Sequence, residues 1–128
     1  MTEIKIYFYI AVGGASGACL RYFFSETLIK LLGKGFPFAT LTVNILGSLL
    51  LGVFYGLLEK ELIADNTTRA LVAVGLLGAF TTFSTFSMDT LLLLQQGHWL
   101  KAMLNVILNV MGCVLVAYLG MQLAMQKG

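Results

Sequence analysis

Long apolar runs alternate with short polar interruptions along this chain. The apolar runs occupy about 4–32, 38–58, 68–95 and 98–125, separated by Gly33-Lys34-Gly35-Phe36-Pro37, by a polar stretch from Glu59 to Arg69, and by Gln95-Gln96-Gly97. Each run reaches the roughly 20 residues that a helix needs to cross the apolar core of a bilayer. The pattern predicts an all-α membrane protein, a single domain of four transmembrane helices. The first run extends past the length of a secretory leader's apolar core and has no Ala-x-Ala-like site before Arg21, so it is expected to stay as a span.

The third run departs from a plain apolar span. Its segment Gly75–Ser87 carries Gly75 and Gly78, then the hydroxyl residues Thr81, Thr82, Ser84, Thr85 and Ser87, with Phe83 and Phe86 between them. Glycine loosens a helix, by about 1 kcal/mol relative to alanine, and hydroxyl side chains can satisfy backbone groups that a broken turn releases. Irregular backbone at membrane depth survives only where protein buries it or where it lines a cavity. A break in the third helix is therefore expected, and with it a site. Asn66-Thr67 is read as the N-cap region of this helix.

Polar positions in the other runs recur at helical spacing. Asn44, Ser48, Gly52 and Gly56 fall on one face of the second helix, and Lys101, Asn105, Asn109, Cys113 and Ala117 fall on one face of the fourth. Two asparagines one turn apart inside a span are costly unless they face protein or water. In the first run, Gly13 and Gly17 form a Gly-xxx-Gly pair that admits a neighbouring backbone. Arg21 follows, as either an interfacial anchor or part of an electropositive vestibule. Asp89 reads as either a helix-end acid or a group steering charge near a pore. His98 and Trp99 stand where interfacial anchors belong.

Composition narrows the chemistry. With 59% hydrophobic residues, one His and two Cys in 128 residues, the chain has no cluster of metal ligands and no nucleophile with a base beside it. There is no phosphate-binding Gly-rich loop ending in Lys-Ser/Thr, and nucleic acid is not an expected partner. In a four-span arrangement Lys5, Lys60, Arg69 and Lys127 share one side, while Arg21, Lys30, Lys34 and Lys101 share the other. Orientation follows the excess of Lys and Arg on one side; here the two sides balance, and insertion both ways with antiparallel pairing is expected. The span-facing polar groups are neutral hydrogen-bond donors, which suits an anion better than a cation. The positive edges of Phe83 and Phe86 can add to such a site.

These residues resemble the fluoride channels of the Fluc (CrcB) family. Gly-Gly-Ala-Ser-Gly-Ala-Cys-Leu-Arg-Tyr at 13–22 resembles the family's first-span signature, Thr-Leu-Thr-Val-Asn-Ile-Leu-Gly-Ser at 40–48 the second, and Gly-Leu-Leu-Gly-Ala-Phe-Thr-Thr-Phe-Ser-Thr-Phe at 75–86 the third. The resemblance implies a fluoride-selective channel that exports fluoride passively across the cytoplasmic (inner) membrane and lowers intracellular fluoride. The assembly it implies is an antiparallel, dual-topology homodimer with two pores. Asn44 would hydrogen-bond the ion, Phe83 and Phe86 would form an aromatic box supplied by both subunits, and Thr82 and Ser84 would stand beside it. Asn105, Asn109 and Cys113 would follow the fourth-span polar track, where a tyrosine and a serine are common at positions 105 and 113. Arg21 would belong to the vestibule or its structural surround. The backbone carbonyls of Gly78 and Thr81 would hold a central structural Na⁺, with no organic cofactor. The alternative is a small four-helix proton-coupled multidrug exporter, which needs a membrane-embedded carboxylate; Glu3 and Glu26 lie toward the ends of the first run instead.

Overall fold

A computed structural model describes residues 2–60 and 65–126 of the chain; part of the polar stretch from Glu59 to Arg69, and Lys127, counted above among the charges, lie outside the described residues. The elements are α1 (Thr2–Leu32), α2 (Phe38–Glu59), α3 (Asn66–Thr68), a π-helical stretch (Arg69–Leu77), α4 (Gly78–Phe80), α5 (Phe83–Gln95) and α6 (Trp99–Gln126). From α3 through α4 the backbone stays helical, so residues 66–80 act as one arm of the third long helix and α5 as the other. Among the described residues the architecture is all-helical, four long helices with no strand.

Three stretches are long and apolar enough to cross a membrane: Phe38–Glu59, Asn66–Gln95 and Trp99–Gln126. The first helix has 31 residues, ample length, but Lys5, Arg21 and its glycines and tyrosines dilute its apolar character.

The helix ends follow local chemistry. Asp65 is the N-cap of α3, its carboxylate accepting from the Thr67 amide at 3.0 Å, one residue before the expected Asn66-Thr67; a carboxylate satisfies a free amide and favours the positive end of the helix. At the other end of this long helix Gly97 adopts φ 82°, and the amides of Gly97 and His98 return to the carbonyls of Leu94 and Leu93 at 3.1 and 2.9 Å. This is the doubly bonded C-terminal cap that only a left-handed residue closes without strain.

Glycine decides which helices touch. A Cβ on Gly13 would meet the carbonyl of Leu71, and one on Gly17 would meet that of Leu76, so α1 lies backbone to backbone against the π-helical stretch. The close approach expected of the Gly13–Gly17 pair is made here. On the opposite side α2 and α6 lock together, with Gly52 against the Ala117 carbonyl and Gly120 against that of Leu49. Phe80 closes the core between α1 and the third helix, edge-on to Phe24 at 5.4 Å between ring centroids. In the isolated chain α6 leaves an apolar face open along Met103, Ile107, Met111 and Leu115.

Replacing Gly17 with Val should force α1 away from Leu76 and lower stability by about 1–3 kcal/mol, the usual cost of overpacking. Gly14→Ala, where a Cβ meets nothing within 4 Å, should leave stability within about 0.5 kcal/mol of wild type, as surface changes do. Unfolding titrations in mixed detergent and SDS measure both.

Candidate functional site

Helical geometry stops after Phe80. Thr81 has φ −85°, ψ 159° and Thr82 φ −151°, ψ 117°, extended conformations that β-branched residues adopt readily. Two extended residues leave peptide groups without helical partners, and each needs another.

Side chains supply most of them. The Leu77 carbonyl accepts from both the amide and the hydroxyl of Thr81, at 3.2 and 3.1 Å. The Ala79 carbonyl accepts from Arg21 Nε at 3.0 Å. Arg21, half-buried, thereby reaches from α1 to cap the first arm, with its positive charge at the negative end of that arm. Asn44 takes the Thr82 peptide from both sides: the Thr82 amide donates to Oδ1 at 2.8 Å, and Nδ2 donates to the Thr82 carbonyl at 3.1 Å. Thr82 Oγ1 then caps α5 by accepting from the Thr85 amide at 3.1 Å. The carbonyls of Gly78 and Thr81 take no hydrogen bond among the described residues. They are hard neutral oxygens of the kind an alkali or alkaline-earth cation prefers.

Gly47 makes room for this arrangement. A Cβ there would strike the methyl of Thr81, so the small residue on α2 is what lets the junction sit one turn from Asn44.

A cavity of about 320 Å³ opens beside the junction. Of the pathway residues expected from the sequence, Asn44, Thr82, Phe83, Phe86, Asn109 and Cys113 line it together. Two others do not: Ser84 is exposed outside it, and Asn105, fully buried, lies behind Asn109. The rings of Phe83 and Phe86 meet at 5.3 Å between centroids and 62° between planes. Phe86 is 7% exposed and Phe83 75% exposed in the isolated chain, so one ring is fixed in the wall while the other projects from the surface. No charged side chain lines this cavity. Among the described residues no three His, Cys, Asp or Glu gather as a metal site.

A second cavity, of about 350 Å³, lies toward the α1–α2 connection and includes Lys34, Thr40, Thr85 and Asp89. There Thr40 Oγ1 donates to Asp89 Oδ2 at 2.7 Å. Thr40 was not among the expected site residues; its signals in the sequence are its place one turn before Asn44 on the same helix face and at the start of the 40–48 segment. Lys101 Nζ donates to the Gly35 carbonyl at 3.1 Å and ties the connection to α6.

The family model for CrcB-like protein, Camphor Resistance (CrcB), matches residues 8–121. The chain belongs to the CrcB family. A CrcB relative from Pseudoalteromonas translucida is 69% identical over 119 residues, 93% of this chain and 99% of its own length. One from Alteromonas mediterranea is 53% identical over 120 residues, 94% of each chain. One from Vibrio campbellii is 48% identical over 127 residues, 99% of this chain and all of the relative. All three carry the name fluoride-specific ion channel FluC.

Asn44→Ala should strand both polar groups of the Thr82 peptide and cost about 1–3 kcal/mol, the desolvation cost of buried groups left unpaired. Amide hydrogen exchange at Thr82, followed by NMR in micelles, should then accelerate by at least about tenfold, the factor that 1.4 kcal/mol represents. Ser48→Ala should leave it unchanged.

Proposed function

We propose that the protein is a fluoride-selective channel. It lets fluoride leave the cell passively across the cytoplasmic membrane and lowers intracellular fluoride. The observation that carries this reading is the cavity that gathers Asn44, Thr82, Asn109 and the Phe83–Phe86 pair without a charged side chain. A fixed negative charge would repel an anion; an unscreened positive one would hold it too firmly for rapid passage. Neutral donors and the positive edges of aromatic rings replace part of the ion's water shell while leaving its binding shallow. Fluoride is small and strongly hydrated, so it needs several close donors. The names of the relatives point to the same ion.

The finer features belong to the same proposal. The α1 helix serves as a fourth span. Balanced Lys and Arg on the two sides favour chains inserted in both orientations and paired antiparallel, and the open apolar face of α6 is available to a second chain. In that dimer the exposed Phe83 meets the partner and completes an aromatic box around the ion. The carbonyls of Gly78 and Thr81, unbonded and close to the junction, would hold a structural Na⁺ at the dimer centre. They fit it as hard oxygen donors, and the ion would offset the negative end of the first arm. Arg21 meets the same end of the arm from within the subunit.

Such a protein is a channel and not an enzyme. The alternative of a proton-coupled multidrug exporter finds no support among the relatives. Asp89, the one acid well inside α5, is bonded to Thr40.

The deciding experiment is anion efflux from liposomes containing the purified protein, with fluoride and chloride electrodes and a K⁺ shunt. Fast fluoride efflux with negligible chloride efflux is expected. Absence of fluoride efflux from folded protein would sink the reading. Phe83→Ile and Phe86→Ile should each slow fluoride efflux by about tenfold or more, the factor for 1.4 kcal/mol of lost ion stabilisation, while the protein still elutes as a folded species. Asn44→Asp should suppress efflux as well, because a fixed charge in the wall repels the ion.

A further inference from the structure

The amides of Asn44, Asn109 and Asn105 belong to a hydrogen-bond chain that runs in one direction only. It begins at the Thr82 backbone N–H, a group that can only donate, which reaches Asn44 Oδ1 at 2.8 Å. With its oxygen so placed, Asn44 turns Nδ2 outward and donates to Asn109 Oδ1 at 2.9 Å. Asn109 Nδ2 donates in turn to Asn105 Oδ1 at 3.0 Å and to the Asn105 carbonyl at 2.9 Å. Asn105 Nδ2 donates to Thr90 Oγ1 at 3.0 Å. The Thr90 hydroxyl ends the chain at the Phe86 carbonyl, 2.9 Å away, a group that can only accept. Turning any one amide over would set donor against donor or acceptor against acceptor. Backbone groups of Thr82, Asn105 and Phe86 together thus set the orientation of three buried amides on α2 and α6.

Asn44 Nδ2 is already engaged twice, by the Thr82 carbonyl and by Asn109, and Asn109 Nδ2 is engaged twice by Asn105. No amide donor stands free in the cavity wall, so an arriving anion must open a link. Along the run of side-chain links from Asn44 to Thr90, both partners line the cavity only at Asn44–Asn109. Opening it lends one N–H of Asn44 to the ion while Asn109 must stay in place to take that N–H back.

We propose that Asn105 and Thr90, neither of which lines the cavity, are positioning residues for permeation: they hold the Asn109 amide oxygen toward Asn44, so that the Asn44–Asn109 link opens and closes as each fluoride passes. The proposal rests on the channel reading. Without the Thr90 hydroxyl, Asn105 Nδ2 loses its acceptor and the Asn105 side chain is no longer held at that end. Its Oδ1 is free to swing, the Asn109 amide is then held by the Asn105 backbone carbonyl alone, and the Asn109 oxygen is less firmly presented to Asn44.

The test is Thr90→Val, a substitution close in shape, with Thr90→Ala as a second variant should the first crowd α6, and Thr90→Ser as the rescue. Two readouts are taken on the full chain: fluoride efflux from liposomes, and the side-chain amide resonances of Asn44 in ¹⁵N-labelled protein. Loss of one hydrogen bond predicts an efflux about three- to tenfold slower in the Val or Ala variant. The Asn44 amide resonances should shift although Thr90 makes no hydrogen bond to Asn44, and Thr90→Ser should restore both. Unchanged efflux with unchanged resonances overturns the proposal, and so does slower efflux with unchanged Asn44 resonances, which would assign Thr90 to packing alone. Wild-type protein that passes no fluoride removes the channel reading and the permeation role with it; wild-type efflux with an indifferent Thr90→Val removes this inference alone.

Discussion

Everything near the centre of this protein depends on one exchange: the amide of Asn44 standing in for the helical partners of the Thr82 peptide. Within a bilayer there is no water to satisfy an interrupted backbone, and an unpaired buried peptide group is costly. A side-chain amide has the same donor and acceptor as a peptide, so one asparagine can take both groups of Thr82 at 2.8 and 3.1 Å. That pairing lets the third helix interrupt its ladder at Thr82 without leaving that residue's polar groups bare. It also sets where the second helix must lie, and Gly47 has to be small because the Thr81 methyl occupies the space beside it.

The surrounding packing keeps that geometry from relaxing. α1 grips the first arm through glycine contacts at Gly13 and Gly17, and α6 grips α2 through Gly52 and Gly120. With few apolar side chains between them, the backbones approach closely, and contact between helices does not depend on a hydrophobic driving force that lipid would remove. The wide π-helical stretch Arg69–Leu77 lies in the grip of α1. Such turns are rare and occur often at functional sites; here the stretch leads directly into the junction.

Charge is kept away from the cavity and used around it. Arg21 reaches the Ala79 carbonyl from α1, Asp89 is bonded to Thr40 in the neighbouring cavity, and Lys101 holds the α1–α2 connection. The cavity itself is left with amides, hydroxyls, a thiol, two phenyl rings and two valines. Each amide there is already bonded, so under the proposed function an ion entering from water would compete with existing hydrogen bonds rather than fill an empty cage. Exchange of that kind favours release as much as capture.

Much of this was legible in the sequence because it is local or periodic. Apolar runs gave the helices, four-residue spacing put Asn44 with Ser48 and Asn105 with Asn109, and Gly75–Ser87 marked the unusual part of the third run. First-run composition, with its glycines and three basic residues, is weaker evidence for a span than that of the other three. Partner choice was not legible. Asn44 meets Thr82 and Asn109 across 38 and 65 residues of chain, Arg21 meets Ala79 across 58, and Thr90 and Thr40 gain their roles only from helices that pack beside them. Periodicity says which residues share a face of one helix. Only tertiary packing says which face meets which, and an amide's donor and acceptor have no direction until a neighbour of fixed polarity imposes one.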